Sequence, residues 1–467
     1  MNRLTSIRHA VQVVLLLSIG SFNAHAEKVS QQANVLFILA DDVGSQTLSR
    51  DGNPFFETPH IDALASSGMY FKKGYSNYPT CKPSRAAILS GQYGPRNHIY
   101  RVSEKHIGNE EKIKYHVPFD TRNLAVSTIS IADKFKEAGY QTAMFGKWHL
   151  GANDTSPENH GFDVVIESNN THFNAKTVPS IELKDDDYIG DVFTKHAINF
   201  IDDSVKNNKP FFLFLPYYLI HKPWEAKPDD LAYFEKKGGD SYNQTDKTVA
   251  AMAKSLDDNV GRLIQALKAR GIDENTLIVF TSDNGGYKMN NNLLNGELRE
   301  SKGQLYEGGI RVPYIFNWPG KIPALENTKQ AVMGIDIFPT LMGLTGIDVA
   351  KEHVLDGISI SPVLTGQKEK MAARDMFWFY PKWARFNKKQ KKWKDEWRNM
   401  IISQGYKLIE YIDSNEYELY NLVDDENETT DLIKEMPEKA EQLKKKLAQW
   451  KISVDAPTPI INPNYIY

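Results

Sequence analysis

Three uninterrupted apolar runs of strand length constrain the fold of this chain more than any other feature. They lie within residues 34–40, 210–216 and 276–281. A strand that is apolar at every position is buried on both faces, which is typical of a parallel sheet covered by helices. Amphipathic helical patterns over residues 191–205 and 247–269 lie between these runs. The sequence therefore predicts an α/β domain built around a mostly parallel sheet.

Carboxylate and amide side chains follow two of these runs. Asp41 and Asp42 come directly after the first run, and Asp283 and Asn284 follow the third. Ligands of open α/β sheets bind at the carboxyl edge of the strands, and two adjacent carboxylates repel each other unless a cation neutralises them. Four oxygen ligands suit calcium or magnesium, and calcium tolerates this many protein oxygens better. The alternative is a helix N-cap followed by a solvated acidic residue.

The only cysteine of the chain, Cys81, cannot form an internal disulfide. Pro83 and Ser84 are predicted to open a helix that continues through Arg85, which places Cys81 just ahead of the helix N-terminus. Free amides and the helix dipole favour negative charge there, and Arg85 adds a positive charge. This segment is therefore predicted to hold an oxyanion against residue 81. The alternative is a buried structural cysteine.

Further cationic candidates follow later in the chain. Lys147 and His149 stand two residues apart in a predicted strand, where both side chains face the same way and can converge on one anion. His221 follows the second apolar run and is a candidate general acid or anion ligand. A solvated lysine, a core histidine and a loop histidine are the respective alternatives. The loop after the Cys81 helix either lines a substrate pocket or is a plain surface loop, and its candidates are Arg96, His98 and Arg101.

Five separated motifs together resemble one enzyme family. Residues 81–91 read Cys-x-Pro-Ser-Arg-x-x-x-Leu-x-Gly, and residues 139–147 read Gly-Tyr-x-Thr-x-x-x-Gly-Lys. The other three are the two carboxylate segments and residues 301–313, which contain Lys302. This set resembles the type I, formylglycine-dependent sulfatases of the alkaline-phosphatase superfamily, and among them the bacterial glycan sulfatases. Glu300 departs from the pattern, because glycine is common there.

The resemblance implies a fold and a division of the chain. A large mixed, mostly parallel sheet sandwiched by helices, as in alkaline phosphatase, is expected over residues 27–365. A smaller C-terminal α+β subdomain with an antiparallel sheet is expected over residues 366–467.

The resemblance also implies the chemistry of the site. Cys81 would be oxidised to formylglycine by a formylglycine-generating enzyme, and its hydrated aldehyde would be the nucleophile. One calcium ion would be bound by Asp41, Asp42, residue 81, Asp283 and Asn284. The catalytic set would be Cys81, Arg85, Lys147, His149, His221 and Lys302. Asp283 would help to deprotonate the nucleophile, His221 with Lys302 would protonate the departing alcohol, and His149 would help to restore the aldehyde.

The N-terminus predicts export. Arg3 and Arg8 precede an apolar run over residues 11–19, and Ala24-His25-Ala26 follows as a small-residue cleavage site. This order is typical of a secretory signal peptide covering residues 1–26. No later run approaches the length of a membrane span. We therefore expect a periplasmic or secreted protein, and the net charge of −3 gives no global indication of nucleic-acid binding.

The substrate class follows less directly from the sequence. Residues 377–398 carry eight basic and two acidic residues together with Trp383, Trp393 and Trp397. They are predicted to form either a solvated basic insertion or an aromatic and cationic wall for a sulfated sugar. A sulfated polysaccharide or its oligosaccharides are expected, with an algal galactan such as carrageenan first and a glycosaminoglycan second. The alternatives are a phosphodiester or phosphonate monoester hydrolase of the same superfold, or a non-catalytic glycan-binding protein if Cys81 stays a thiol.

Overall fold

The computed structural model describes residues 32–102, 110–168, 171–387, 389 and 392–466. The predicted signal peptide lies outside the described residues. The strands are β1 Asn34–Ala40, β2 Met69–Tyr75, β3 Gln141–Gly146, β4 Val164–Glu167, β5 Phe211–Pro216, β6 Thr276–Ser282, β7 Tyr314–Asn317, β8 Leu325–Met333, β9 Met376–Tyr380, β10 Ala384–Asn387, β11 Lys392–Asp395, β12 Arg398–Ser403, β13 Tyr406–Tyr411 and β14 Glu416–Asn421.

Helices connect and cover these strands. They are α1 Pro59–Ser67, α2 Cys81–Ser90, α3 Gly94–Asn97, α4 Ile131–Glu137, α5 Ile189–Lys206, α6 Pro228–Gly238, α7 Gln244–Ala269, α8 Glu307–Ile310, α9 Ile337–Thr345, α10 Ser361–Leu364 and α11 Pro437–Ser453. None of the helices in the described part of the chain has the length and apolar character needed to cross a membrane.

The main sheet has eight strands in the order β4-β3-β5-β1-β6-β7-β2-β8. Only β7 runs antiparallel to its neighbours β6 and β2, and the other pairings are parallel. The prediction of a mixed, mostly parallel sheet is therefore confirmed. Because the remaining strands share one direction, their carboxyl ends meet at the same edge.

Strand β1 shows why its sequence is apolar from Val35 to Ala40. Leu36, Ile38 and Ala40 belong to the core on one face of the sheet, and Val35, Phe37 and Leu39 belong to the core on the other face. Helices α5 and α7 pack on the first face, whereas α2, α4 and α9 pack on the second. Burial on both faces leaves no position where a polar side chain reaches solvent.

A separate antiparallel sheet follows near the C-terminus, with strand order β14-β13-β12-β9. Its core includes residues of α11, among them Leu443 and Leu447. This arrangement confirms the predicted C-terminal element, and the boundary at residue 366 stays a prediction. The described residues from Gln32 onward belong to one compact unit.

Buried ion pairs link α8 to this C-terminal sheet. The ammonium of Lys407 lies 2.8 Å from Glu307 Oε1 and 2.7 Å from Glu428 Oε1, and all three side chains are fully buried. Arg311 Nε also donates to Glu307 Oε2 at 2.7 Å. Buried charges are tolerated when they are paired in this way. The network therefore fixes the position of the segment that follows Lys302.

Candidate active site

The predicted site residues meet at the carboxyl edge of the main sheet. Asp41 and Asp42 follow β1, Lys147 follows β3, and Asp283 with Asn284 follows β6. Helix α2 begins after β2 at the same edge. Parallel strand direction is the reason that segments distant in sequence converge there.

Cations and an amide surround the two aspartates. Lys147 Nζ lies 2.6 Å from Asp41 Oδ2, and Lys302 Nζ lies 2.5 Å from Asp42 Oδ1. Asn284 Nδ2 donates to Asp42 Oδ1 at 2.7 Å. Burial alone would raise the pKa of Asp41, but Lys147 and other nearby cations hold it well below its usual range. Asp41 is therefore a carboxylate at neutral pH.

The oxygen atoms of this cluster fit a divalent cation. Asp42 Oδ2 and Asn284 Oδ1 are buried and have no hydrogen-bond partner among the described residues. Ligand atoms of Asp41, Asp42, Cys81 and His221 all lie within 4.8 Å of one another. Buried oxygens normally have partners, and two such atoms in one acidic cluster suit a hard cation. Asp42 also has a φ of 66°, a conformation that is uncommon outside glycine and found at functional sites.

Cys81 lies against the same carboxylates. Its Sγ is 3.5 Å from Asp41 Oδ1 and 3.3 Å from Lys302 Nζ, and the residue is 1% exposed. The prediction that Cys81 precedes the helix is wrong, because α2 begins at Cys81 itself and Thr80 is its N-cap. Burial and the neighbouring Asp41 raise the pKa of the thiol to about 12. Cys81 is therefore a neutral thiol at physiological pH.

Arg85 lies behind the carboxylates and does not line the cavity described below. Its Nε donates to Asp283 Oδ2 at 2.8 Å, its Nη2 to Asp41 Oδ2 at 3.1 Å, and its Nη1 to the carbonyl of Lys147 at 2.6 Å. A planar guanidinium is suited to three fixed acceptors of this kind. Arg85 thus holds two of the predicted metal ligands in place.

Lys147 and His149 reach the site from a loop. Strand β3 ends at Gly146, so the expectation that both residues lie in the strand is wrong. Gly146 has a φ of 146°, and a Cβ there would lie 2.1 Å from the carbonyl oxygen of Pro216. Glycine at this position therefore lets the chain leave the sheet toward the site. His149 has a φ of 65°, and burial together with Lys147 lowers its pKa well below the usual value.

His221 presents one ring nitrogen to the cluster. Its Nδ1 lies 2.6 Å from the carbonyl oxygen of Lys222 and 2.9 Å from the hydroxyl of Tyr218, and its Nε2 lies 3.9 Å from Asp42 Oδ2. A carbonyl can only accept, so Nδ1 carries a hydrogen. Burial lowers the pKa of the ring. The neutral ring therefore turns an unprotonated Nε2 toward the carboxylates.

A cavity of about 380 Å³ opens above these groups. It is lined by Thr80, Cys81, Val102, Lys147, His149, Tyr218, His221, Tyr287, Lys302, Gly303 and Lys382. A cavity of about 680 Å³ beside the C-terminal tail contains none of the predicted site residues, so its size does not make it the candidate. The cavity of about 380 Å³ is therefore the candidate active site, because the predicted catalytic side chains line it.

Comparison with known proteins decides the family of this site. The sulfatase family model matches residues 33–347. The chain belongs to the sulfatase family. A second model, for the C-terminal region of N-sulphoglucosamine sulphohydrolase, matches residues 300–453 of the same sulfatase. This membership makes the protein an enzyme that hydrolyses sulfate esters.

Individual relatives support the assignment. A sulfatase of Formosa agariphila is 32% identical to this chain, and the alignment covers 92% of this chain and 91% of the relative. The N-acetylgalactosamine-6-sulfatase of Mus musculus is 31% identical over 78% of this chain and 72% of its own. The crystal structure of Ps i-CgsB in complex with k-i-k-neocarrahexaose has a TM-score of 0.77 and 27% identity, covering 93% of this chain and 96% of that one.

Trp383, Trp393 and Trp397 do not form the expected wall of this sulfatase's pocket. Trp383 and Trp397 are 0% exposed and Trp393 is 8% exposed. Their indole nitrogens donate within the protein, to Asp413, Asn399 and the carbonyl of Lys112. The aromatic part of the wall interpretation is therefore wrong, and so is a fully solvated insertion, because these rings belong to the C-terminal core. Of the basic residues in this segment, Lys382 lines the cavity.

The loop after α2 contributes little to the cavity. Arg96 pairs with Asp356, and Arg101 pairs with the buried Asp120 at 3.1 Å. His98 is exposed. None of the three candidates lines the cavity, whereas the neighbouring Val102 does.

Two tyrosines and a lysine that line the cavity were not predicted from the sequence. The Lys147 ammonium lies over the ring of Tyr218, 4.9 Å from its centroid. The Lys302 ammonium lies over the ring of Tyr287, 4.7 Å from its centroid. Tyr287 comes directly after the segment Asp283–Gly286, so its position in the sequence could have identified it as a site residue. Lys382 comes from the basic segment 377–398, which was predicted as a possible wall, although Lys382 was not singled out within it.

Proposed function

We propose that this sulfatase removes sulfate from a sulfated carbohydrate, with Cys81 converted to formylglycine and one calcium ion at the carboxylate cluster. The observation that carries the proposal is the meeting of Cys81, the acidic cluster and the Lys147 and Lys302 ammonium groups at one cavity. The family uses such a residue and a divalent metal for this reaction.

Asp41, Asp42, Asp283 and Asn284 would hold the metal, together with residue 81. The bound cation supplies charge neutralisation for the sulfate, and the hydrated aldehyde at residue 81 supplies a nucleophilic hydroxyl. The protein's own contribution is to fix these ligands before substrate arrives, chiefly through Arg85.

The lysines and histidines carry the remaining steps. Lys147 and Lys302 present ammonium groups to the sulfate oxygens, where developing charge is stabilised in a site largely shielded from water. His221 turns Nε2 toward the reacting groups, and an anionic substrate favours its protonation, so it can then give a proton to the departing alcohol. His149 has a buried Nδ1 without a hydrogen-bond partner among the described residues, and it would accept a proton during release of the sulfate.

Relatives that act on glycans support a carbohydrate substrate. The similar structure of Ps i-CgsB was solved with k-i-k-neocarrahexaose, and a relative in Mus musculus is an N-acetylgalactosamine-6-sulfatase. A carrageenan-type galactan is the first candidate, and a glycosaminoglycan is the second. Export to the periplasm or the medium, with cleavage near Ala26, agrees with a polymeric substrate.

Sulfate release by the purified mature protein tests this proposal. We expect hydrolysis of an aryl sulfate and of at least one sulfated oligosaccharide, and loss of both activities in Cys81→Ala. Stronger activity on a phosphodiester or a phosphonate monoester than on every sulfate ester would contradict the proposal in favour of the phosphorus-ester alternative.

A further inference from the structure

Lys382 is the one lysine of the cavity lining that has no acidic partner on the described part of the chain. Lys147 and Lys302 contact Asp41 and Asp42. Lys382 forms no salt bridge with a carboxylate of the described residues: its backbone amide donates to Tyr380, its ammonium lies 5.6 Å from the Tyr380 ring centroid, and it interacts with Asp395 only electrostatically, without a hydrogen bond. Its charge is therefore only partly offset by the described part of the chain.

Neighbouring carboxylates do not supply the missing partner. Asp395 is engaged by Arg385 through two hydrogen bonds of 2.6 Å and also by Gln304. The residues that line the cavity include three lysines and two histidines, and no carboxylate is among the lining residues that the structure describes. The mouth of the site is thus suited to an anionic ligand.

The backbone of Lys382 is held in place by buried residues. Tyr380 before it and Trp383 after it are 2% and 0% exposed, and Trp383 donates to Asp413. Gly303, with a φ of 90°, leaves space for the ammonium, because a Cβ at that position would lie 3.1 Å from Lys382 Nζ. An anchored backbone reduces the entropy lost when the side chain binds a ligand.

From these contacts we infer that Lys382 binds a second anionic group of the substrate, a sulfate or a carboxylate on the glycan, beside the sulfate that is removed. The inference rests on the proposed function, since it concerns the same cavity. The sulfate that is cleaved is assigned to Cys81, Lys147 and Lys302, whereas Lys382 enters from the C-terminal region over Gly303. The substrate class is then a glycan with at least two negative groups within one or two sugar units.

Competition against an aryl sulfate tests the inference separately from glycan cleavage. Inhibition constants are measured with the mature protein for two matched pairs of disaccharides. One pair is a carrageenan disaccharide with one sulfate and the same disaccharide with two, and the other is the corresponding pair of chondroitin disaccharides. The disulfated member of at least one pair should inhibit about tenfold more tightly, because a hydrogen bond between charged groups contributes about that factor. Inhibition requires no cleavage of the glycan, so it tests Lys382 even if the glycan is not hydrolysed. Sulfate release from the glycan is measured separately and tests the proposed function.

Variants identify the residue responsible. Lys382→Ala should bring the ratio of the two inhibition constants close to one, and Lys382→Arg should preserve it. Lys321→Ala, which removes an exposed lysine outside the cavity lining, should leave the ratio unchanged. Raising the ionic strength should reduce the ratio in the wild type and not in Lys382→Ala. A wild-type ratio near one in both pairs, or equal weakening of both members by Lys382→Ala, would overturn the inference.

Discussion

Replacing Arg85 by methionine should destabilise the protein severely, because this arginine holds buried carboxylates together. Its side chain is 1% exposed, and the carboxylates of Asp41 and Asp283 that it contacts are 0% exposed. When calcium is removed by a chelator, Asp41 keeps Lys147 as a partner in the variant, so Asp283 is the carboxylate left without its cation. Breaking a buried ion pair on one side costs about 3–5 kcal/mol. Since domains are stable by only about 5–15 kcal/mol, the loss is a large fraction of the total.

Burial and the neighbouring Asp41 raise the pKa of Asp283 to about 7, so the test is made at about pH 8, where this side chain is mostly a carboxylate. Urea unfolding with a chelator present, followed by tryptophan fluorescence, measures the free energy of unfolding. Arg85→Lys keeps the charge but loses the planar fork, so it should lose less, about 1–3 kcal/mol. The matched control is Arg270→Met, which breaks a pair with Asp202 at the protein surface and should cost no more than about 1 kcal/mol. Mass spectrometry of the Cys81 peptide accompanies each variant, because Arg85 is also part of the sequence motif around that residue.

A free energy of unfolding for Arg85→Met within about 1 kcal/mol of the wild type would refute this reasoning, given the cost expected of a broken buried pair. It would mean that Asp283 finds another partner or is protonated without penalty. An equal loss in Arg270→Met would likewise show that burial is not the cause.

Four further predictions concern the site and its supports. Lys302→Met should lower kcat/KM for an aryl sulfate about 10²–10³-fold, measured by product absorbance, as expected for loss of one charge-stabilising donor. Chelation of calcium should lower both activity and thermal stability, and calcium at 100 times its Kd should restore about 2.7 kcal/mol in a calorimetric measurement. Burial raises the pKa of Asp413 to about 7, so the stability that this residue contributes is full below about pH 4 and lost as pH rises through about 7. Asp413→Asn should therefore stabilise the protein by roughly 1–2 kcal/mol more at about pH 8 than at about pH 5, in urea unfolding. Glu300 has a φ of 60°, so Glu300→Gly should leave stability unchanged or raise it by up to about 1 kcal/mol.

The central strands were predictable because their sequences reflect burial on both faces. Strand β1 is apolar from Val35 to Ala40 and lies in the middle of the sheet. Strand β8 lies at the sheet edge, and five of its nine residues are polar or charged, so its pattern did not indicate a strand. The reversed direction of β7 also had no local signal, since strand direction is set by the chain's path between elements.

Residues of the candidate site were predictable where chemistry restricts the choice. Asp41, Asp42, Asp283 and Cys81 follow strands or begin a helix, and the structure brings them together. The path of Lys147 after Gly146 was not predictable, because it depends on the close approach of Pro216.

The tryptophans show the limit of composition as a guide. Basic residues beside Trp383, Trp393 and Trp397 suggested a binding surface, but the rings fill a core formed by distant strands. Which side chains of these short strands and their connections meet solvent is decided by tertiary packing, which the composition of the segment does not show. The basic character of the same segment did point to Lys382, which lines the cavity.

The most direct test of the account compares the rate of sulfate release with the fraction of Cys81 converted to formylglycine, measured by mass spectrometry as a loss of about 18 Da. Protein samples with different degrees of conversion are obtained by varying co-expression of the maturation enzyme. We predict a rate that is proportional to the converted fraction and close to zero when Cys81 remains a thiol. A rate that is independent of this fraction would contradict the account.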